Sequence, residues 1–225
     1  MSSAIQAQTV TLVSSIPIPA YVAAPESTPK DALGGVVVLQ EIFGVNAHIR
    51  DVTERIARQG YVAIAPALYH RQAPGVETGY TPEDIQVGRQ YKVRTQADEL
   101  LQDVQAAADY LKTELGLSKV GCIGFCFGGH VAYLAATLPD VAATASFYGA
   151  GIATWCPGNA SPDEPPTVER TPQISGELYG FFGKADASIP AVEVNQIEAA
   201  LQRANVPHQI FRYDGAGHGF FCDRR

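Results

Sequence analysis

Short runs rich in β-branched residues alternate along the chain with longer stretches whose apolar positions recur every three or four residues. That alternation predicts a mostly parallel sheet wrapped by helices. Extended segments around Val10–Val13 and Ala20–Ala23 come first, and a Pro- and Ser-containing turn over Pro25–Gly35 leads into the buried strand Val36–Leu39. Asn46 caps a helix carrying Ile49, Val52, Ile56 and Ala57, and Gly60 closes it before a strand over Tyr61–Ala65. After a loop from Pro66 to Gly79, Thr81-Pro82-Glu83 supplies an N-cap, a first-turn proline and a first-turn carboxylate for a short helix. A second helix puts Leu100, Leu101, Val104, Ala107, Ala108 and Leu111 on one face and stops at Gly116, before a strand over Lys119–Phe125. Next come a helix from Phe127 to about Leu138, ended by Pro139, and a strand over Ala142–Tyr148. The Pro-rich stretch Cys156–Pro172 lacks apolar periodicity and reads as an exposed excursion. Leu178–Phe182 is a strand, Pro190–Ala204 a helix and Gln209–Tyr213 a strand.

Composition narrows this to one doubly wound α/β domain over residues 1–225, because 225 residues that are 46% apolar can fill a single core. The charge of −7, from 23 acidic and 16 basic side chains without a basic run, argues against nucleic acid as a partner. No stretch of about 18 apolar residues and no secretory leader pattern is present, so no membrane partner and a cytoplasmic location are expected. Cys122, Cys126, Cys156 and Cys222 are not spaced as a disulfide framework and read as thiols. The five histidines form no close-spaced ligand pair, so neither a metal nor a cofactor is implied.

One segment carries chemistry. Gly124-Phe125-Cys126-Phe127-Gly128-Gly129 joins an apolar strand to a helix in the manner of a nucleophile elbow, a strained turn that needs glycine where the helix packs closely. It presents the Cys126 sulfur beside helix N–H groups that favour a thiolate. The alternative role, a buried apolar cysteine, suits Cys122 inside the strand better. A thiol nucleophile needs a base, and Gly215-Ala216-Gly217-His218-Gly219 places His218 in a loop after the last strand. The orienting carboxylate belongs after the penultimate strand, where Phe182-Gly183-Lys184-Ala185-Asp186 offers Asp186; Glu193 and Glu198 lie inside the next helix and fit less well. The segment Gln40-Glu41-Ile42-Phe43-Gly44 follows the first buried strand, so the backbone N–H groups of Ile42 and Phe127 are the expected oxyanion hole. Glu41 has two readings by spacing, a contact to the nucleophile region or exposure at the strand end. Phe43, Phe127 and Tyr148 are expected to wall a small pocket.

At these residues the chain resembles the dienelactone hydrolases, or carboxymethylenebutenolidases, of the α/β-hydrolase superfamily. The likeness runs from Gly35 to Asp223 and rests on Gln40-Glu41-Ile42-Phe43-Gly44-Val45-Asn46, Leu68-Tyr69, the Cys126 elbow, Phe147-Tyr148-Gly149 and Ala216-Gly217-His218-Gly219-Phe220. It implies that Cys126 attacks a lactone or ester carbonyl to form an acyl-enzyme, that Asp186 orients His218, and that Glu41 contacts the thiol and helps govern its ionisation. It also implies arginines that hold a substrate carboxylate, one of them four residues after the histidine, where this chain has Cys222. Arg89 and Tyr91 match another such cluster only with an offset, and a charged helix face explains them equally well. The fold normally continues past its histidine loop into a covering helix, whereas the sequence stops at Asp223-Arg224-Arg225. That implies a missing helix and an exposed apolar strip. Two rivals share the same features. One is a non-catalytic ligand-binding member of the fold, and the other is a redox-sensing thiol protein.

Overall fold

The computed structural model describes residues 4–26, 31–161 and 163–224, so the centre of the expected turn at 27–30 lies outside the described residues. Eight strands form one sheet: β1 (Ile5–Leu12), β2 (Ile18–Pro25), β3 (Gly35–Leu39), β4 (Val62–Pro66), β5 (Val120–Phe125), β6 (Val141–Phe147), β7 (Glu177–Gly183) and β8 (His208–Tyr213). Their spatial order is β1-β2-β4-β3-β5-β6-β7-β8. From β4 to β8 all pairs are parallel, while β1 and β2 form an antiparallel hairpin whose second strand runs antiparallel to β4. The opening extended segments are thus one hairpin, and Val13 falls in its turn, almost fully exposed, instead of in the strand.

The helices are α1 (Ala47–Arg58), α2 (Pro82–Lys92), α3 (Ala97–Asp109), α4 (Phe127–Ala135) and α5 (Ala191–Arg203). Their starts follow from the sequence. Asn46 Oδ1 accepts from the N–H groups of His48 and Ile49, and Thr81 forms a reciprocal capping box with Asp84. Successive strand residues point to opposite faces, so Val37 joins a core with Leu100, Val104 and Val131, while Val38 joins another with Ile49, Ile197 and Leu201. On the second face an open groove of about 560 Å³ is floored by Val36, Ile123, Ala143 and Ala145.

Two elements differ from their sequence reading. The helix expected to run through Leu111 changes to a π turn over Tyr110–Glu114, and the Pro-rich excursion holds a 3₁₀ helix, Thr167–Gln173, whose Thr167, Val168 and Thr171 are buried. Polar residues can be buried there because each finds a partner: His130 Nε2 lies 2.7 Å from Thr167 Oγ1, and Tyr133 Oη lies 2.6 Å from Thr171 Oγ1. The end of the excursion is therefore pinned to α4, whereas Ala160 and residues 163–165 are exposed as expected.

Direction reverses between β3 and β5. The chain leaves β3 through α1 to β4 on one side and later returns to β5 on the other, which makes the carboxyl ends of β3 and β5 the switch point where open α/β sheets bind ligands. Register pairs Leu39 of β3 with Gly124 of β5. Ile42 and Phe127 each follow that pair by three residues.

Candidate active site

The turn after β5 is sharp. Cys126 stands at φ 54° and ψ −115°, a region costing a non-glycine residue about 1–3 kcal/mol. The helix it starts must pass close to the strands: a Cβ on Gly124 would lie 1.9 Å from the Gly128 carbonyl oxygen, and one on Gly128 would lie 2.2 Å from that of Leu39. Glycine at both positions is what allows α4 to begin directly beneath the sulfur. Its first N–H groups, Phe127 among them, have no intrahelical acceptor and give that end a partial positive charge.

His218 and Asp186 reach the sulfur from neighbouring strands. Lys184 N–H donates to the Tyr213 carbonyl and Ala185 N–H to that of Ala216, which stitches the loop after β7 to the loop after β8. Across this join His218 Nδ1 lies 2.7 Å from Asp186 Oδ2, and His218 Nε2 lies 3.0 Å from Cys126 Sγ. Asp186 is buried, and its Oδ1 accepts from the Ser188 N–H at 2.8 Å. Tyr148, leaving β6 at φ 38°, sets its ring edge to face with His218, centroids 5.3 Å apart.

The charges reinforce this line. Burial alone would push the His218 proton off, but the hydrogen bonds and charges of Asp186 and Cys126 outweigh it and raise the imidazole to about 10. For Asp186, burial opposes ionisation, and the hydrogen bond and charge of His218 with the Ser188 N–H overcome it, so its carboxyl lies below the usual range. Lys92, at the end of α2, stands 5.0 Å above the Trp155 ring, and its charge reaches Cys126. These shifts predict a pH dependence of folding. A raised histidine adds stability that is full below its usual value of 6.5 and is lost as pH climbs to about 10; a lowered aspartate adds stability present above 3.8 and lost on acidification. Thermal midpoints of the wild type should therefore fall more steeply from neutral to alkaline pH than those of His218→Gln. Parallel profiles would contradict the paired geometry.

The remaining expected residues are placed unevenly. Ile42 and Phe127 lie just past the carboxyl ends of β3 and β5. Phe43 is buried against Tyr80, centroids 4.7 Å apart, and Tyr91 packs 5.4 Å from Tyr69, which stacks 5.9 Å from Phe127. Arg89 is exposed on α2. Glu41 is 1% exposed, which removes the reading that put it in solvent at the strand end; its carboxylate clusters with His48 and Cys222. His70 is fixed by Asp103 and His208 by the Val206 carbonyl, while burial and the Lys92 charge push His130 down to about 3, leaving it neutral. Glu193 is buried at the start of α5, where it accepts from the Ala153 N–H. Sequence reading missed Lys92 and Trp155, whose only signal was their position next to Tyr91 and Cys156.

Comparison with known proteins identifies the family. The model of the family described as dienelactone hydrolase matches residues 18–225. A Synechocystis protein provisionally named carboxymethylenebutenolidase is 59% identical over 192 residues, which is 84% of this chain and 76% of that protein. The carboxymethylenebutenolidase of Pseudomonas putida is 31% identical over 205 residues, covering 89% and 79% of the two chains. A crystal structure from Klebsiella pneumoniae, described provisionally as a dienelactone hydrolase, superposes with a TM-score of 0.85 at 33% identity, over 99% of this chain and 90% of that one. With its mixed eight-stranded sheet, its elbow after β5 and these relatives, the chain has the α/β-hydrolase fold and belongs to the dienelactone hydrolase family.

Proposed function

We propose that the chain hydrolyses small carboxylic esters or lactones by way of an acyl-enzyme on Cys126. The observation that carries this reading is the unbroken line from Asp186 through His218 to the Cys126 sulfur, at 2.7 and 3.0 Å, beside the start of α4. In the first half-reaction the sulfur, whose proton His218 Nε2 already holds, bonds to the carbonyl carbon. The carbonyl oxygen, now negative, lies against the Ile42 and Phe127 N–H groups. Collapse breaks the C–O bond, and the leaving oxygen takes the proton from Nε2. Water then gives a proton to Nε2 and attacks the thioester, and that proton stays on Nε2 as the acid leaves. Asp186 holds the imidazole in the orientation that presents Nε2 to the sulfur. No cofactor enters these steps. The redox rival would need a partner thiol, and this reading needs none.

The test is a panel of short aryl esters and lactones hydrolysed by the wild type beside Cys126→Ala. Only the wild type should turn over, and equal rates would remove the central role of Cys126. Within the panel, short acyl groups should be preferred, because Phe43, Phe127 and Tyr148 fill the core beside the site and are each 1% exposed or less. A specificity constant that rises with acyl length, as for a lipase, would refute that restriction.

A further inference from the structure

Residues far apart in the sequence meet a short way along the loops from the sulfur. Glu41 lies two residues past β3, His48 in the first turn of α1 and Cys222 four residues beyond His218. One ligand atom from each, a carboxylate oxygen, an imidazole nitrogen and the thiol sulfur, lie within 4.8 Å of one another. All three residues are buried, at 1%, 1% and 7% exposure. We infer that this oxygen, nitrogen and sulfur set is a site for a thiophilic divalent cation of the zinc class, distinct from the Cys126, His218 and Asp186 line.

Donor chemistry selects the ion. Thiolate with imidazole and carboxylate suits zinc or cobalt, whereas calcium and magnesium require oxygen alone. In a tetrahedral zinc site the ligand atoms stand about 3.4–3.6 Å apart, so the cluster needs to close by at most about 1.4 Å, within reach of side-chain torsions. A second observation is independent of the clustering: His48 Nε2 is buried with no hydrogen-bond partner among the described residues. A buried imidazole nitrogen left so is costly in a merely structural role and is relieved by a proton-free ligand bond.

The surroundings supply what a site of this kind uses. The Cys222 thiol donates to Tyr80 Oη at 3.5 Å, and Asn46 Nδ2 donates to the same oxygen at 3.3 Å. When Cys222 gives its proton to solvent and binds the ion through sulfur, the Tyr80 hydroxyl can turn to donate to that sulfur, an outer-sphere bond of the type that orients metal ligands. A cleft of about 260 Å³ lined in part by Asn46, His48, Tyr80 and Arg224 lies beside the cluster. Glu77, which pairs with Arg50, lines the cleft together with Arg224, so the cleft is not uniformly cationic. A bound ion would join the loop after β3 to the loop that carries His218. Folded chain should therefore be stabilised by occupancy, whether or not the hydrolytic reading holds.

The experiment titrates cobalt(II) into the intact, chelator-stripped, fully reduced chain and follows absorption and the thermal midpoint. One equivalent should produce a near-ultraviolet sulfur-to-cobalt band with the visible bands of a tetrahedral ion, both displaced by zinc, and zinc should raise the midpoint. Cys222→Ser should lose the sulfur band and His48→Gln the tetrahedral bands, while Cys126→Ala keeps them all. Absence of a sulfur band in wild type at one equivalent, with four thiols confirmed by labelling, would overturn the site. So would a band that survives Cys222→Ser and disappears in Cys126→Ala, because the ion would then be held by the catalytic line. The wild-type titration decides the matter even where a variant fails to fold.

Discussion

His218→Ala should lower kcat/KM on every ester and lactone by about 10²–10⁴. The imidazole Nε2 lies 3.0 Å from the Cys126 sulfur, and the proposed cycle uses it both to hold the thiol proton and to give it to the leaving oxygen. Removing it disables both half-reactions. Asp186→Asn should cost less. It leaves a base in place, with its orientation disturbed, beside a sulfur that is intrinsically nucleophilic. Steady-state kinetics of the two variants on one substrate check the ranking, and a larger loss for Asp186→Asn would reverse the assigned roles.

Gly128→Ala should damage both folding and turnover. The added Cβ would stand 2.2 Å from the Leu39 carbonyl oxygen and 2.5 Å from that of Gln40. These are backbone atoms at the end of β3, so no flexible side chain can swing away to make room. Overpacking of this kind costs about 1–3 kcal/mol or more, and for a chain of this size each kcal/mol moves the thermal midpoint by about 2–4 °C. Relief by moving α4 or the end of β3 would separate Phe127 from Ile42, and displacements near 1 Å can cost about 10²-fold in rate. A midpoint and kcat/KM both equal to wild type would show that the close approach of α4 to β3 does not support the site.

How far the sequence anticipates this arrangement depends on whether a feature is local. The elbow is legible because its requirements fall within six consecutive residues: an apolar strand, glycines where α4 must pass, and a cysteine between them. Asp186 and His218 are legible because each follows a recognisable strand, and because adjacent parallel strands deliver their following loops to one end of the sheet. Periodicity cannot reveal the burial of Thr167 and Thr171, since what draws them inward is the pairing with His130 and Tyr133 and not an apolar stripe. Lys92 over Trp155, and Glu41 beside His48 and Cys222, are juxtapositions of distant segments that no spacing rule encodes. The same limit explains why the dispersed histidines gave no hint of a ligand set: residues 41, 48 and 222 meet only after β3, α1 and the His218 loop have packed.

The most direct test of the account is to trap the intermediate. Wild type and His218→Ala would be mixed with a slowly deacylating aryl ester and quenched in acid, and peptide masses would then locate any acyl group among Cys122, Cys126, Cys156 and Cys222. The account predicts a thioester on the Cys126 peptide of the wild type, formed at the rate of the phenol burst and far more slowly in His218→Ala. An acyl group on another residue, or a burst with Cys126 unmodified, would contradict it.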